Sequence, residues 1–169
     1  MIDKRITKLI SKFSRFNIDG YIISKNDEFF SEYSAVNRLK IISNFTGSAG
    51  LAIVLRENNY LFVDGRYTIQ AQRESGKLFK IIEIHKFLPK NIIKNLTLGF
   101  DPSLHTRKQL NAYFGNSLML KQINKNLIDE ICKKKISKIK TFFSLNNNVA
   151  GETLKSKINK IKDILKSNK

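Results

Sequence analysis

The 169-residue sequence contains one cysteine, Cys132, and two histidines. A single cysteine excludes an intramolecular disulfide and a multi-cysteine zinc site, and it is typical of a reducing compartment. Because Cys132 follows a hydrophobic stretch and has no histidine nearby in sequence, we expect an inert thiol. His85 and His105 lack the spacing and the flanking carboxylates of metal ligands, so we expect ordinary surface or loop side chains.

Long apolar runs are also missing, since none approaches the roughly 18–20 residues that a membrane helix requires. The opening residues Met1–Arg5 provide no hydrophobic core of a secretory signal, so we expect none. The Asn-x-Thr triplets at Asn44 and Asn95 are therefore not interpreted as glycosylation sites. With 41% hydrophobic and 27% charged residues, the composition is that of a globular protein. We predict a cytoplasmic chain without membrane contact.

Two sequence patterns are absent, a phosphate-binding loop and the elbow that presents a serine nucleophile. A phosphate loop runs from a strand through glycines into a helix, whereas Gly47-Ser48-Ala49-Gly50 is predicted to lead from a helix into a strand. The sequence therefore predicts a turn in which Gly47 and Gly50 supply positive φ angles. No Gly-x-Ser-x-Gly elbow is present for a serine nucleophile.

The net charge of +17 comes mostly from lysine, with 24 Lys against 7 Arg. Residues 131–169 hold 11 of the lysines and only 2 acidic residues. A basic chain of this kind can bind nucleic acid, but clustered arginines with interleaved aromatic residues are missing. We interpret the lysines as solvated faces and keep nucleic-acid binding as a weak alternative.

Helical and strand patterns alternate along the first 130 residues and predict an α/β fold with a mixed β-sheet flanked by helices. An amphipathic helix over 3–17 suits a targeting segment, a membrane surface or docking on the following sheet, and the short turn after it favours the sheet. The predicted strands are 21–23, 51–55, 60–63, 79–84, 97–100 and 118–123, and the other predicted helices are 35–45, 66–76 and 107–114.

The character of the sequence changes near residue 132. We predict one domain over 1–132, and over 133–169 a basic linker with the first helix of a truncated second domain. In a predicted helix over 150–168, apolar residues recur every three or four positions and form a narrow seam that needs a partner surface. The seam consists of Leu154, Ile158, Ile161 and Leu165.

Asp64-Gly65-Arg66-Tyr67 follows a predicted strand and begins the next helix. Open α/β sheets bind ligands at the carboxyl ends of their strands. Asp64 is a candidate helix N-cap. Arg66 is a candidate partner for a carboxylate such as Glu32, or for an anionic ligand.

Four blocks of the sequence form a distinctive set: Asp27, Ser31-Glu32-Tyr33, Asn44-Phe45-Thr46-Gly47-Ser48-Ala49-Gly50 and Phe62-Val63-Asp64-Gly65-Arg66-Tyr67. Weaker matches follow at Gly99-Phe100-Asp101-Pro102 and Asn126-Leu127-Ile128-Asp129. Together these blocks resemble the N-terminal domain of Xaa-Pro aminopeptidases (aminopeptidase P) of the creatinase/prolidase family.

The resemblance implies a creatinase-type N-terminal domain with a ribonuclease-H-like mixed sheet. In the three-domain enzymes a similar middle domain and a pita-bread domain follow, and the latter binds two divalent metals, usually manganese, through two aspartates, a histidine and two glutamates. None of these ligands is carried over to this chain, so we expect no catalytic residue and no cofactor in it. One local departure is Phe29, where family members often have histidine.

The resemblance thus implies a non-catalytic N-terminal portion that shapes substrate access and subunit contacts. Its implied partners are the missing middle and catalytic domains or a split-gene product, with a homodimer as a further option. The alternative function is a stand-alone interaction module that binds an acidic protein. We predict a structural or substrate-access network of Glu32, Asp64, Arg66 and Tyr67, beside the turn at Gly47 and Gly50.

Overall fold

A computed structural model describes residues 2–31, 36–116, 118–132 and 143–167. The chain forms two compact units, Met1–Lys134 and Lys135–Lys169, which are described separately. The predicted boundary near residue 132 falls beside residues 133–142, which lie outside the described part. The assignment of a second domain therefore stays a prediction.

The first unit contains six strands and seven short helices among the described residues. The strands are β1 Gly20–Ser24, β2 Gly50–Leu55, β3 Asn59–Val63, β4 Lys80–Glu83, β5 Thr97–Phe100 and β6 Met119–Gln122. The helices are α1 Ile2–Ile10, α2 Phe13–Phe16, α3 Arg38–Ser43, α4 Thr68–Ser75, α5 Pro89–Ile92, α6 Arg107–Phe114 and α7 Leu127–Ile131.

The strands form one sheet in the order β4-β3-β2-β1-β5-β6. Strand β2 is antiparallel to both of its neighbours, while the β3–β4, β1–β5 and β5–β6 pairs are parallel. Five strands therefore run in one direction, and their carboxyl ends meet at one edge of the sheet. This mixed sheet with flanking helices confirms the predicted fold class.

Alternating side chains of the strands build a separate hydrophobic core on each face of the sheet. Helices α1, α2, α3, α4 and α7 cover one face, which we call the closed face. Helix α6 and the end of α5 cover the other, which we call the open face because a cavity lies on it. Neighbouring residues of β1 belong to opposite faces, with Tyr21 on the closed face and Ile22 on the open face.

The predicted docking of the first helix on the sheet is confirmed, because Ile6, Leu9 and Phe13 are buried in the closed-face core. The prediction of one continuous helix over 3–17 is wrong, since the helix is interrupted between Ile10 and Phe13. Asn17 then ends α2 with a left-handed φ of 47°. Asparagine tolerates this conformation better than most residues, which explains the sharp turn into β1.

Local capping rules predict some boundaries well and miss others. Thr106 Oγ1 accepts from Gln109 N and the Gln109 side chain accepts from Thr106 N, so the predicted capping box of α6 is confirmed. The predicted helix over 66–76 begins with a 3-10 turn, Gly65–Tyr67, before α4. The sequence analysis missed α5, although Pro89 at its first position is a typical start signal.

The predicted reason for the glycines at 47 and 50 is wrong. Among the glycines, positive φ angles occur at Gly115 and Gly151. A Cβ on Gly47 would instead lie 2.2 Å from Cζ of the buried Phe45, and one on Gly50 would lie 3.0 Å from Leu39 Cδ2. These glycines are therefore required by close packing rather than by backbone conformation.

The second unit contains α8, Asn147–Ala150, and α9, Leu154–Ser167. Gly151, with φ of 74°, ends α8, so the predicted helix over 150–168 begins later than expected. No residue of α9 is buried, and its apolar residues remain exposed on this unit. They are Leu154, Ile158, Ile161, Ile164 and Leu165. No helix in the described part of the chain is long and apolar enough to cross a membrane.

Candidate functional site

A cavity of about 270 Å³ lies on the open face at the edge where the parallel strands end. The ends of β1, β3 and β4 and the start of β2 contribute to it, and α6 closes one side. Its lining residues are Ser24, Asn26, Ala49, Gly50, Leu51, Phe62, Val63, Asp64, Ile84, His85, His105, Gln109 and Tyr113. Asp64, predicted from the sequence as a helix N-cap at the strand end where α/β sheets can bind ligands, is one of these residues.

Asp64 joins the end of β3 to the following 3-10 turn. Its Oδ1 accepts from the backbone N of Arg66 at 3.0 Å, which confirms the predicted N-cap role. The same oxygen accepts from Arg66 Nε at 2.9 Å, and Oδ2 lies 3.4 Å from His85 Nε2. Hydrogen bonds from the Arg66 side chain and backbone lower the pKa of Asp64 to about 2. Asp64 is therefore an anion at any physiological pH.

Tyr67 connects this turn to the glycine-containing segment. Its hydroxyl lies 2.8 Å from Ser48 Oγ, and its ring packs edge-on against Phe45 at 5.9 Å between centroids. The Arg66 guanidinium lies 5.7 Å from the centroid of the Tyr67 ring. The structure thus brings Asp64, Arg66 and Tyr67 together beside the turn at residues 47–50. Glu32 lies outside the described residues, so the four-residue network stays a prediction.

His105 differs from the expected surface histidine. It follows the 3-10 turn Pro102–Leu104, and its Nε2 is buried with no hydrogen-bond partner among the described residues. Burial lowers the pKa of His105 to about 4, so the ring is neutral at neutral pH. His85, by contrast, has a side chain that is 73% exposed. Sequence spacing gave no signal for this difference, because it arises when the loop folds onto the sheet.

Ser24 is the second buried polar side chain in the cavity. Ser24 is 5% exposed, and its Oγ has no hydrogen-bond partner among the described residues. It lies at the end of β1 opposite Leu51 of β2. The sequence analysis missed Ser24, since a serine at a strand end reads as an ordinary turn residue.

The arrangement provides hydrogen-bonding groups but no metal site. Within residues 2–31, 36–116, 118–132 and 143–167, no group of three or more His, Cys, Asp or Glu side chains could hold a metal ion. Asp64 and the two histidines therefore do not fit a two-metal centre, which needs several carboxylates on one scaffold. The cavity is suited to binding rather than to metal-dependent catalysis.

A short loop with exposed aromatic residues follows β1. Asp27 Oδ1 accepts from the backbone N of Phe29 and of Ser31, at 3.0 and 2.8 Å. This turn places Phe30 at a positive φ of 58° and leaves Phe29 88% exposed. A bulky residue with positive φ is uncommon and marks a constrained loop. The loop therefore presents an apolar surface in a fixed conformation.

Comparison with protein families gives a match to the creatinase/prolidase N-terminal domain over residues 5–130. A probable Xaa-Pro aminopeptidase P from Laccaria bicolor is 30% identical over 145 residues, which cover 76% of this chain and 22% of that protein. Xaa-Pro aminopeptidase 1 from Dictyostelium discoideum is 30% identical over 153 residues, which cover 84% of this chain and 24% of that protein. The chain thus spans about a fifth to a quarter of the curated relatives it matches.

Solved structures share the fold. An X-prolyl aminopeptidase from Caenorhabditis elegans, described as a cytosolic enzyme with a di-nuclear active site, matches with a TM-score of 0.69 and 24% identity. The match covers 99% of this chain and 31% of that enzyme. The N-terminal domain of a metallopeptidase from Corynebacterium diphtheriae matches with a TM-score of 0.55 and 16% identity, covering 72% of this chain and 94% of that one. At these identities the likeness establishes the fold, and it confirms the creatinase-type architecture.

Proposed function

The chain belongs to the creatinase/prolidase N-terminal domain family, and from this premise we propose that it is the non-catalytic N-terminal portion of a Xaa-Pro aminopeptidase-like metallopeptidase. The resemblance to the N-terminal domain of aminopeptidase P is confirmed by the family match and the relatives. The proposal depends on the share of each protein that is aligned. Most of this chain matches only a minor part of each relative.

The proposal assigns peptide-bond hydrolysis to residues outside this 169-residue chain. The described residues of this domain do not fit a pair of metal ions. The Caenorhabditis elegans enzyme has a di-nuclear active site, and this chain covers 31% of its length. We therefore assign the two divalent metals, with manganese as the expected ion, to a separate catalytic domain. A cytoplasmic location is part of the same proposal.

We propose that the loop bearing Phe29 and Phe30 contacts the remainder of the enzyme and limits access to its active site. The support is the combination of an exposed ring, 88% accessible at Phe29, with a backbone fixed by Asp27. Fixed apolar loops of this kind favour contact with another surface over contact with water. The cluster formed by Asp64, Arg66 and Tyr67 would stabilise the edge of the sheet where the parallel strands end. It would thereby also help to limit access to the active site.

Activity measurements test the proposal directly. The purified chain with Mn²⁺ should release no N-terminal residue from a Xaa-Pro peptide. A fusion in which this chain replaces the corresponding domain of the Dictyostelium enzyme should be active, and Phe29→Ser in that fusion should change KM for long peptides more than kcat. Release of the first residue by the isolated chain would refute the proposal, and so would a fusion in which Phe29→Ser changes neither parameter.

A second candidate is a stand-alone interaction module for an acidic protein. The observation that favours it is α9, which presents five exposed apolar residues together with five lysines and one aspartate. An amphipathic helix with this charge suits a groove of opposite sign. Co-purification of a stable complex that protects α9 from hydrogen exchange, and that Ile161→Asp abolishes, would support this function over the first.

A further inference from the structure

We propose that the open-face cavity binds a small molecule that carries a carboxamide or peptide group at one end and an amine at the other. Nothing in the proposed N-terminal role requires such a site, so the inference goes beyond that role. The cavity lies at the carboxyl ends of parallel strands, where open α/β sheets bind their ligands. Its volume of about 270 Å³ is several times the roughly 30 Å³ that one water molecule occupies in the liquid.

The inner polar groups determine one end of the ligand. Ser24 is 95% buried, given its exposure of 5%, and neither its Oγ nor His105 Nε2 has a partner among the described residues. Most buried polar atoms in native proteins are paired, so unpaired ones that line a cavity mark positions where a bound molecule can form hydrogen bonds. Both groups are uncharged, and a charged group buried against them would be unfavourable. A carboxamide offers an N–H and a C=O, which match a hydroxyl and either tautomer of imidazole.

Asp64, which lies at the rim of the cavity, determines the amine end of the ligand. Asp64 is the carboxylate among the described lining residues, and it is ionised. Its Oδ1 bonds Arg66, whose side chain is 78% exposed, while Oδ2 has only the long 3.4 Å contact with the exposed His85. Oδ2 is thus available to accept a hydrogen bond from an ammonium group. Apolar side chains also line the cavity, at Leu51, Phe62 and Ile84, and suit an aliphatic ligand body.

The site is held in place before any ligand arrives. Asp101, which is 6% exposed, accepts from Ser103 N, Ser103 Oγ and Asn126 Nδ2 at 3.0, 2.6 and 2.9 Å. Asn26 Nδ2 donates to Leu104 O at 2.8 Å. These bonds fix the loop that presents His105 against the end of β1. A ligand therefore does not need to order the site, which favours binding.

The test uses 5-aminopentanamide, whose amine and carboxamide lie at opposite ends of an aliphatic chain, as the probe and the imidazole NMR spectrum of the full 169-residue chain as the readout. Only two histidines contribute to that spectrum, and His85→Gln assigns them. We expect saturable shifts of the His105 signals with a Kd of about 1 mM or tighter. Pentanamide, which lacks the amine, and 5-aminopentanoate, which lacks the carboxamide, should each bind at least about 5-fold more weakly, about 1 kcal/mol by RT ln 5.

Variants locate the two ends of the ligand. Ser24→Ala should weaken 5-aminopentanamide binding at least about 5-fold, whereas Ser75→Ala, at a buried serine on the closed face, should leave the affinity unchanged. Asp64→Asn should weaken 5-aminopentanamide but not pentanamide. The proposal is overturned if the His105 signals do not saturate, if 5-aminopentanoate binds equally well, or if Ser24→Ala and Asp64→Asn both keep the original affinities. Because the readout is binding and not hydrolysis, its failure would leave the proposed N-terminal role standing.

Discussion

The two faces of the sheet differ in how their buried polar groups are hydrogen-bonded. On the closed face, Arg38 is 3% exposed and forms a two-pronged ion pair with Asp129 at 3.0 and 2.8 Å. Ser75, also buried there, donates to Ser43 O at 2.8 Å. On the open face, Ser24 Oγ and His105 Nε2 are buried without partners among the described residues. Asn59 Oδ1, at the start of β3, is also buried without a partner among the described residues, but it does not line the cavity. The difference is therefore that the buried charge of the closed face is paired, whereas the unpaired groups of the open face line a cavity.

The largest expected effect tests the closed face through Asp129→Ala. Removing one partner of a buried ion pair leaves an uncompensated charge, so we expect a loss of about 3–5 kcal/mol in the free energy of unfolding by urea denaturation. Glu28 also contacts Arg38 at 3.3 Å, but its side chain is 48% exposed. Glu28→Ala should therefore cost less than about 1 kcal/mol. Equal losses for the two variants would contradict a closed face stabilised by the Asp129 pair.

The next effect is a pH dependence from the open face. The pKa of His105 is about 4 in the folded chain and ordinarily 6.5. The unfolded chain thus binds more protons between these values, so stability is fully present above about pH 6.5 and falls as pH decreases towards 4. His105→Gln should reduce the difference in unfolding free energy between pH 7 and pH 4 by about 2–3 kcal/mol.

The matched control for the pH dependence is His85→Gln, which removes the exposed histidine and leaves His105 in place. This variant should keep the pH dependence of the original chain in the same urea titrations. A His105→Gln chain with an unchanged difference between the two pH values would show that the ring is not buried in the folded protein.

A third prediction compares the loss of stability when each of two glycines, one closely packed and one less so, is replaced by alanine. Gly47→Ala places a Cβ 2.2 Å from the buried Phe45 ring, and overpacking of this kind costs about 1–3 kcal/mol. At Gly65 the new Cβ would lie 3.1 Å from Glu83 Oε1, the end of a flexible side chain. Gly65→Ala should therefore cost less than Gly47→Ala in thermal denaturation. The reverse order would contradict the close packing of the turn.

The smallest effect compares two buried serines. Ser75→Ala removes a hydrogen bond to a buried carbonyl and should cost about 1 kcal/mol. Ser24→Ala removes a hydroxyl without a partner among the described residues, so the unfolding free energy should change by less than about 0.5 kcal/mol or increase. A loss at Ser24 as large as that at Ser75 would show that the Ser24 hydroxyl is satisfied in the unliganded protein, and the contrast between the faces would then rest on His105 alone.

Patterns that act within a few residues predicted much of the fold. The capping box of α6 and the Asp64 cap each join atoms two or three residues apart, so residue spacing alone indicates them. The apolar run of β1 predicted a strand, because its residues are buried on both faces. Boundaries differed from the prediction where the backbone takes a left-handed φ and ends a helix, as at Asn17 and Gly151.

The candidate site was only partly predictable. Asp64, Arg66 and Tyr67 were identified from the motif they share, and the structure places them together. Ser24 and His105 were missed, because they lie far apart in sequence and line the same cavity only once the strand ends and the following loops have assembled. Their significance depends on burial and on missing partners, which no spacing rule records.

The sequence by itself determined the family, the alternation of helices and strands, and the local caps, since these depend on residue identity and short-range periodicity. Only the tertiary structure decided which polar groups are paired. Arg38 and Asp129 are 91 residues apart and form a partly buried pair, while Ser24 Oγ and His105 Nε2 are buried beside an open cavity. The physical reason is that desolvation and pairing are properties of the packed chain, set by contacts between distant segments.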